Sequence, residues 1–323
     1  MRWETLKARL LAAGTARLEG EPCDEYVSSS TAGPGAGGKG SIFFSSGGKR
    51  VRLALDPGSE LTVRHLGGGK AVLDLDGQKV GGRLDMIALH CPGQAFITVS
   101  SGCIFSCRYC EVPRLPQRRK TVEEILSMVE GVRDRARCIS LTSGVMGSVE
   151  EEEQYVLSVV ERLSVIGLPI GVSIYPLEGT PGRLRALGVA EVKFNVEAAT
   201  GELFSRMCPG LSWEGIWESL EESVALFSKN HVHSNLMIGL GETDREAEAC
   251  IRRLTGMGVI PVIRPLNPVA GLSGYARPSS DRLLRMYAIQ ADALREAGLD
   301  PAQALTMCVA CTGCDLTPGR DDG

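Results

Sequence analysis

The segment Cys103-Ile104-Phe105-Ser106-Cys107-Arg108-Tyr109-Cys110 carries three cysteines in a C-x3-C-x2-C spacing. It follows an apolar run at residues 96–100, so the thiols are expected just beyond the end of a strand. Three thiolates in this spacing can each bind one iron of a 4Fe–4S cube and leave the fourth iron open to a small molecule. Tyr109 would place an aromatic face beside that iron. Zinc is the alternative, although its tetrahedral site needs a fourth ligand, for which only His90 and Cys91 lie near in sequence.

Beyond residue 95, strand-like apolar runs alternate with helical patterns. The predicted strands are 96–100, 139–142, 170–175, 191–196, 234–238 and 259–263. The predicted helices are 121–132, 149–165, 180–187, 213–228, 244–256 and 279–297. Alternating strands and helices indicate a parallel sheet. Six such units predict an α/β fold, a partial (β/α)6 TIM-type barrel with its chemistry at the carboxyl ends of the strands.

The regions on either side of this barrel have a different composition. Residues 1–94 are predicted to form a small β-rich N-terminal region, with a helix at 1–12, a Gly/Ser-rich loop within 28–48, and strands at 41–44, 50–55, 61–65 and 71–75. The barrel is assigned to residues 95–300. A Cys-rich C-terminal tail follows at 301–323.

The tail carries a second triplet, Cys308-Val309-Ala310-Cys311-Thr312-Gly313-Cys314. Its C-x2-C-x2-C spacing matches the first three ligands of a bacterial ferredoxin, and its small residues leave room for an auxiliary iron–sulfur cluster. A zinc knuckle that lacks one ligand and a disordered, redox-sensitive tail are the alternatives. A cluster here needs a fourth ligand or leaves an iron open; the candidate ligands are Cys23, Ser28, Ser29 and Ser30.

The chain has 323 residues and eleven cysteines, six of them in the two clusters. Because the cytosol keeps thiols reduced, clustered cysteines are interpreted first as metal ligands and not as disulfides. The isolated Cys138, Cys208 and Cys250 are expected to be small buried apolar residues.

Charge and hydropathy limit the partners of the protein. The formal net charge of −4 does not favour a nucleic-acid surface. No apolar run approaches the roughly 20 residues that cross a bilayer. The first residues, Met1-Arg2-Trp3-Glu4, lead into a mixed amphipathic helix and do not resemble a signal peptide. We therefore expect a cytoplasmic protein without nucleic-acid or membrane partners.

The first cysteine motif resembles that of the radical S-adenosylmethionine (SAM) superfamily. The resemblance implies that the open iron chelates SAM, and that reductive cleavage yields a 5′-deoxyadenosyl radical that abstracts hydrogen from an unreactive carbon. Segments at successive strand ends match the superfamily pattern in order. The residues that the resemblance places around SAM are Thr142, Ser143, Gly144, Asn195, Glu197, Met237 and Gly239. Arg264 follows the sixth strand and meets SAM or an auxiliary cluster if it points inward, or solvent if it points outward.

Residues 195–197, 208–210 and 237–243 resemble lipoyl synthase in order and spacing, within the biotin synthase-like branch. The C-terminal triplet is more similar to the two-protein archaeal lipoyl synthases. This resemblance implies sulfur insertion into a carrier-bound octanoyl chain, with the auxiliary cluster as sulfur donor. The implied partners are a reductant such as ferredoxin, an acylated lipoyl-domain or H-protein-like carrier and a second radical SAM subunit. Radical methylation, methylthiolation, carbon-skeleton rearrangement and a non-catalytic electron carrier or scaffold remain alternatives.

Overall fold

Two β-structures, one small and one large, define the architecture of this computed structural model, which describes residues 2–28, 40–268 and 270–322. The smaller one follows helix α1 (Trp3–Ala13) and is a closed six-stranded barrel in the order β1-β3-β2-β6-β5-β4. Its strands are β1 (Thr15–Gly20), β2 (Ser41–Ser46), β3 (Lys49–Leu55), β4 (Thr62–His65), β5 (Lys70–Leu75) and β6 (Gln78–Leu84). Buried apolar side chains such as Ile42, Phe44 and Leu53 fill its interior.

The sequence predicted a β-rich N-terminal region but neither strand β1 nor strand β6. Strand β6 contains Gly81-Gly82, a pair that favours a turn when only the sequence is considered. In the structure a Cβ atom on Gly82 would lie 2.3 Å from the backbone oxygen of Ser45, so glycine allows two strands to approach closely. Barrel closure depends on such contacts between strands, which local patterns do not report.

The larger β-structure is a six-stranded, fully parallel sheet in the order β14-β13-β12-β11-β10-β7. Its strands are β7 (Gln94–Thr98), β10 (Cys138–Thr142), β11 (Ile170–Ser173), β12 (Glu191–Lys193), β13 (Val232–Ile238) and β14 (Ile260–Pro265). A separate two-stranded ribbon joins β8 (Ser100–Ser101) to β9 (Arg118–Arg119). The predicted α/β class and the parallel sheet are confirmed.

Helices connect the strands of the large sheet. They are α2 (Val122–Glu130), α3 (Val149–Ser164), α4 (Thr180–Ala186), α5 (Gly201–Met207), α6 (Trp213–Leu226), α7 (Asp244–Met257) and α8 (Ser280–Ala297), and a short α9 (Met307–Cys311) lies in the tail. Short 3₁₀ turns lie at Asp24–Tyr26, Val112–Arg114, Ala270–Leu272 and Pro301–Gln303. Helices α2 and α7 begin at capping boxes, Thr121 with Glu124 and Thr243 with Glu246. In the described parts of the chain, no helix has the length and apolarity that a bilayer crossing requires.

The C-terminal tail enters the large sheet from the amino ends of its strands. The buried carboxylate of Glu191 accepts hydrogen bonds from the backbone N–H groups of Leu305 and Thr306, at 2.7 and 2.8 Å. The Met307 N–H donates to Ser140 Oγ at 3.0 Å, and Gln94 Nε2 donates to the Met307 carbonyl at 2.9 Å. Helix α9 therefore lies inside the curve of the sheet.

The small barrel and helix α1 cover the tail from the other side. The Arg52 N–H donates to the Gly313 carbonyl at 2.6 Å. Lys7 Nζ donates to the Thr312 carbonyl and forms a fully buried ion pair with Asp321, at 2.7 Å. The tail is thus held between the two β-structures.

Replacing Lys7 by Met is expected to lower the free energy of unfolding by about 3–5 kcal/mol, because it leaves the buried Asp321 carboxylate without its cation. Urea unfolding followed by circular dichroism measures the change. Arg9→Met is the matched control, because Arg9 pairs with the exposed Asp76 on the surface, and a loss of at most about 1 kcal/mol is expected there. Equal effects of the two substitutions would contradict the role of Lys7.

Candidate functional site

The first cysteine triplet lies in the loop beyond the carboxyl end of β7. The Cys110 N–H donates to the Cys107 carbonyl at 3.0 Å, which closes a tight turn between two of the three cysteines. The Val145 N–H donates to Cys103 Sγ at 3.4 Å. The Arg108 N–H donates to the Met207 carbonyl at 2.9 Å, so helix α5 also holds the loop. The Val145 N–H, which donates to a sulfur atom, stabilises the Cys103 thiolate over the thiol.

A cavity of about 180 Å³, here called the upper cavity, opens beside this loop at the carboxyl ends of the strands. Nine of the residues predicted from the sequence line it, namely Cys103, Cys107, Tyr109, Cys110, Thr142, Ser143, Gly144, Asn195 and Glu197. Its outer side is apolar, with Phe105, Tyr175 and Ile216. The buried Thr98 Oγ1 and Glu197 Oε2 line the cavity without a hydrogen-bond partner among the described residues. Such groups suit a polar ligand in this space.

Glu197 has the left-handed backbone conformation that is rare for a residue with a side chain, with φ of 56°. Hydrogen bonds with strand β13 hold it there, from its own N–H to the Asn235 carbonyl at 2.9 Å and from the Met237 N–H to its carbonyl at 2.8 Å. Burial raises the pKa of Glu197 to about 7, while Lys193 and Arg264 act in the opposite direction. A cationic amino group of a ligand would favour the ionised carboxylate.

Cys208, expected to be a plain apolar residue, lies in the site. Its Sγ is 3.4 Å from Tyr109 Oη, and it also hydrogen-bonds to Cys107. This hydrogen bond and burial raise the pKa of the Cys107 thiol. A weak sequence signal for this role exists, because Cys208 stands in the Cys-Pro-Gly segment, residues 208–210, on which the family resemblance partly rests.

Met237 and Gly239, which the resemblance places around SAM, do not line the upper cavity. Met237 is buried and lines a small neighbouring cavity together with Glu197. Gly239 lies in the turn after β13, where its N–H donates to the carboxylate of Glu242 at 2.7 Å. Glu242 is itself buried and paired with Arg282 at 2.8 Å, so it fixes this turn.

A second cavity of about 80 Å³, here called the lower cavity, lies deeper in the curve of the sheet. Cys308, Cys311 and Cys314 all line it. Thr142, Ser173 and Asn195 line both cavities, which are therefore neighbours. The tertiary structure thus brings the two cysteine triplets, which are remote in sequence, to adjoining spaces.

Two cations face the thiols of the lower cavity. Lys193 Nζ is 3.3 Å from Cys308 Sγ, and Arg264 Nη1 is 3.7 Å from the same sulfur atom. Arg264 points inward, which settles the alternative left open by its sequence position. The buried Lys193 in strand β12 was a sequence signal for the lower cavity. The buried Gln94 and Ser140, in strands β7 and β10, were signals for the tail that they contact.

The candidate fourth ligands of the second triplet are placed differently. Cys23 packs against the apolar core of the small barrel and does not line the lower cavity. Ser28 Oγ donates to the His90 carbonyl at 3.3 Å. Ser29 and Ser30 lie outside the described residues, as does most of the Gly/Ser-rich loop. Cys91, to which the sequence assigned no ligand role in this cluster, lines the lower cavity.

The chemistry of both donor sets suits iron–sulfur clusters. Each set has three thiols in one short segment of chain beside a cavity. A backbone N–H group is directed at a sulfur atom in each set, from Val145 to Cys103 and from Gly313 to Cys311. Within residues 2–28, 40–268 and 270–322, no three His, Cys, Asp or Glu side chains converge on one ion position. The ligands of a cubane differ from such a set, because each thiolate binds a different iron atom.

Gly144→Ala is expected to displace the cysteine loop, because a Cβ atom there would lie 2.2 Å from the carbonyl oxygen of Gly102, next to Cys103. Iron retained after anaerobic reconstitution should fall well below the wild-type content. Gly256→Ala is the control, since a Cβ atom at Gly256 meets nothing within 4 Å and the residue lies inside helix α7. An iron content in Gly144→Ala equal to that of the wild type would contradict the expected displacement of the cysteine loop.

Glu197→Gln is expected to weaken SAM binding about tenfold or more, because a hydrogen bond to a charged group contributes about 1.5–3 kcal/mol. Wild-type affinity should rise as the pH increases through about 7, because ionisation of Glu197 creates the charge that attracts the SAM amino group. Anaerobic calorimetry at several pH values measures both effects. Glu202→Gln on the exposed side of α5 is the control, and equal affinities and pH profiles for all three proteins would exclude the contact.

Comparison with solved structures places the fold. HydG, the FeFe-hydrogenase maturase from Carboxydothermus hydrogenoformans, aligns with a TM-score of 0.55 and 19% identity, over 62% of this chain and 51% of its own. Methylornithine synthase PylB aligns with a TM-score of 0.52 and 19% identity, over 64% of this chain and 69% of its own. SuiB from Streptococcus suis, in its SAM-bound structure, aligns with a TM-score of 0.53 and 11% identity, over 66% and 49%. At these identities the likeness shows the fold alone.

The chain spans about half the length of HydG and SuiB. No curated protein sequence matches it. Residues 97–254, which include the first cysteine triplet and most of the parallel sheet, match the family model described as the Radical SAM superfamily. This match implies a 4Fe–4S cluster and SAM at the upper cavity. Residues 97–254 thus carry the likeness of this chain to the radical SAM superfamily.

Proposed function

We propose that this protein is a radical SAM sulfurtransferase, similar to lipoyl synthase, that inserts sulfur into an octanoyl chain attached to a carrier protein. The observation that carries the proposal is the position of the second cysteine triplet. Cys308, Cys311 and Cys314 line a cavity that adjoins the upper cavity through the shared wall of Thr142, Ser173 and Asn195. Sulfur insertion requires hydrogen abstraction and sulfide transfer at one carbon atom, so the two reagents must lie close together.

The residues of the upper cavity bind and orient SAM in this proposal. The Glu197 carboxylate receives the SAM amino group, aided by the polar edge that follows β10 at Thr142 and Ser143. Ser143 is itself held in place, since its Oγ accepts from the Ser100 N–H at 3.0 Å. When bound, the first cluster and SAM supply the 5′-deoxyadenosyl radical that breaks an unactivated C–H bond.

The atoms and electrons of the reaction balance as follows. Each C–S bond consumes one C–H bond, one SAM molecule and one electron from a reductant such as ferredoxin. The hydrogen atom leaves as part of 5′-deoxyadenosine. A sulfide from an auxiliary cluster held by Cys308, Cys311 and Cys314 would join the carbon radical as a thiolate, and the iron of that cluster would take up the one electron released.

The residues of the lower cavity suit a buried anionic cluster. Lys193 and Arg264 lie beside Cys308, where they offset the charge of thiolates away from water. A hydrogen bond from Cys91 lowers the pKa of Cys311 to about 7, with help from the charge of Arg50 and the Gly313 N–H. These groups favour the thiolate, which is the form that binds iron.

The apolar side of the upper cavity suits an acyl chain. Phe105 and Tyr175 lie with ring centroids 5.5 Å apart, and Ile174, Leu211 and Ile216 continue this surface. Ile104, in the same loop, is 52% exposed and offers an apolar contact outside the cavity. A lipoyl-domain or H-protein-like carrier would bind near this loop and deliver its acylated lysine, and a second radical SAM subunit would complete the system.

The test uses wild-type protein reconstituted anaerobically with iron and isotopically heavy sulfide, then incubated with SAM, dithionite and an octanoylated lipoyl-domain. Mass spectrometry is expected to find heavy sulfur in the acyl chain, together with 5′-deoxyadenosine. The variant with serine at Cys308, Cys311 and Cys314 should still form 5′-deoxyadenosine, because the first cluster is intact, but no sulfur product. Cys250→Ser, on helix α7, should behave as wild type.

Two outcomes would contradict the proposal. A product that gains a methyl group or a rearranged carbon skeleton, without new sulfur, would assign the chain to another radical SAM reaction. An iron-loaded wild-type protein that forms no 5′-deoxyadenosine would favour an electron carrier or scaffold.

A further inference from the structure

Cys91 is the fourth thiol of the lower cavity. Its residue is only 2% exposed, and it lines the same space as Cys308, Cys311 and Cys314. Its side chain is in hydrogen-bonding contact with that of Cys311. The two cysteines share a buried apolar cluster with Phe43 and Ile87.

The backbone around Cys91 is fixed relative to the tail. Cys91 pairs with Gln94 in an isolated antiparallel bridge, and its carbonyl accepts from the Ala88 N–H at 3.2 Å. The side chain of the same Gln94 donates to the carbonyl of Met307, the residue before Cys308. One short segment thus positions Cys91 and also anchors the helix that carries two of the tail cysteines.

Positive side chains surround the lower cavity. Lys193, Arg264 and Arg52 all line the cavity, and the only carboxylate among its lining residues is Asp315. A cubane with four thiolate ligands carries a net negative charge, which needs nearby cations when it is buried. These three cations, of which Lys193 is buried and the two arginines are half-buried, meet that need.

We propose that Cys91 is the fourth protein ligand of the auxiliary cluster, so that Cys91, Cys308, Cys311 and Cys314 together hold a 4Fe–4S unit. The inference rests on the auxiliary cluster of the proposed function and names the ligand that the tail lacks. It replaces Cys23, which packs in the small barrel. It also links the segment before β7 to the tail through the cluster.

His90 is the competing ligand. Its ring lines the same cavity, and its Nδ1 has no hydrogen-bond partner among the described residues. Its ring also packs against Phe96, with centroids 5.0 Å apart. Cys91 is favoured because it contacts Cys311 directly and because a thiolate matches the other three ligands.

The experiment isolates the auxiliary cluster. A background variant with Cys103, Cys107 and Cys110 all changed to Ala is reconstituted anaerobically, and iron, sulfide, Mössbauer and EPR spectra are recorded. The background is expected to hold about four irons per chain. Adding Cys91→Ala or Cys91→Ser should change the ligation of one iron, seen as loss of that iron with a three-iron EPR signal, as one distinct iron site in the Mössbauer spectrum, or as loss of the cluster.

Three matched substitutions in the same background serve as controls, namely Cys138→Ala, Cys23→Ala and His90→Ala. Cys138 is a buried cysteine close enough to Cys91 to raise its pKa when ionised, but it does not line the lower cavity. All three are expected to keep about four irons with unchanged Mössbauer parameters. Circular dichroism verifies that each variant is folded. If the Cys91→Ala variant does not fold, the near-isosteric Cys91→Ser variant is used in its place.

The experiment distinguishes a failure of the proposed function from a failure of the Cys91 assignment. If the background binds no iron, the auxiliary cluster is absent, and both the proposed function and the role of Cys91 fall. If the background binds about four irons and the folded Cys91 variants keep them with unchanged spectra, only the assignment of Cys91 is wrong. Iron loss in Cys23→Ala or His90→Ala, with the Cys91 variants intact, would also overturn it.

Discussion

The carboxylate of Glu191 determines where the C-terminal tail enters the large sheet. It is fully buried, and it accepts hydrogen bonds from the Leu305 and Thr306 N–H groups, from Thr306 Oγ1 and from the ring of His231. A buried carboxylate must keep such partners, because their loss leaves a desolvated charge. The positions of the tail cysteines, the lower cavity and the overlying small barrel all follow from this anchor.

The two β-structures contribute to different cavities of the proposed active site. The carboxyl ends of the parallel strands form the upper cavity, as the rule for parallel barrels requires. The small barrel closes the lower cavity with Phe43 and Arg52, and Lys7 ties helix α1 to the tail. A radical and a reactive sulfide are both protected when water and competing donors are kept out.

Among the described residues, three of the five non-glycine residues with positive φ lie beside the two cavities, and the other two are Asp76 and Asn230. Glu197, Met307 and Thr312 have φ of 55° to 56°, although none is glycine. Glu197 faces the upper cavity, and the other two flank the residues of helix α9 that carry Cys308 and Cys311. Conformations of this kind cost about 1–3 kcal/mol each and persist where surrounding contacts hold them. The hydrogen bonds of Glu197 to β13 and of Met307 to Ser140 and Gln94 provide those contacts.

The sequence by itself determined the parallel α/β class, the position of the first cysteine triplet after β7, and the polar strand ends around it. These features have local signals, namely hydrophobic periodicity and the spacing of ligands on one turn. Only the tertiary structure decided that the small barrel closes, that Arg264 points inward, and that Cys208 and Cys91 contact other cysteines. Those contacts join segments remote in sequence, and packing of that kind leaves no periodic pattern in the chain. The C-x3-C-x2-C motif thus identified the chemistry of the upper cavity, whereas the fold alone placed a second set of thiols beneath it.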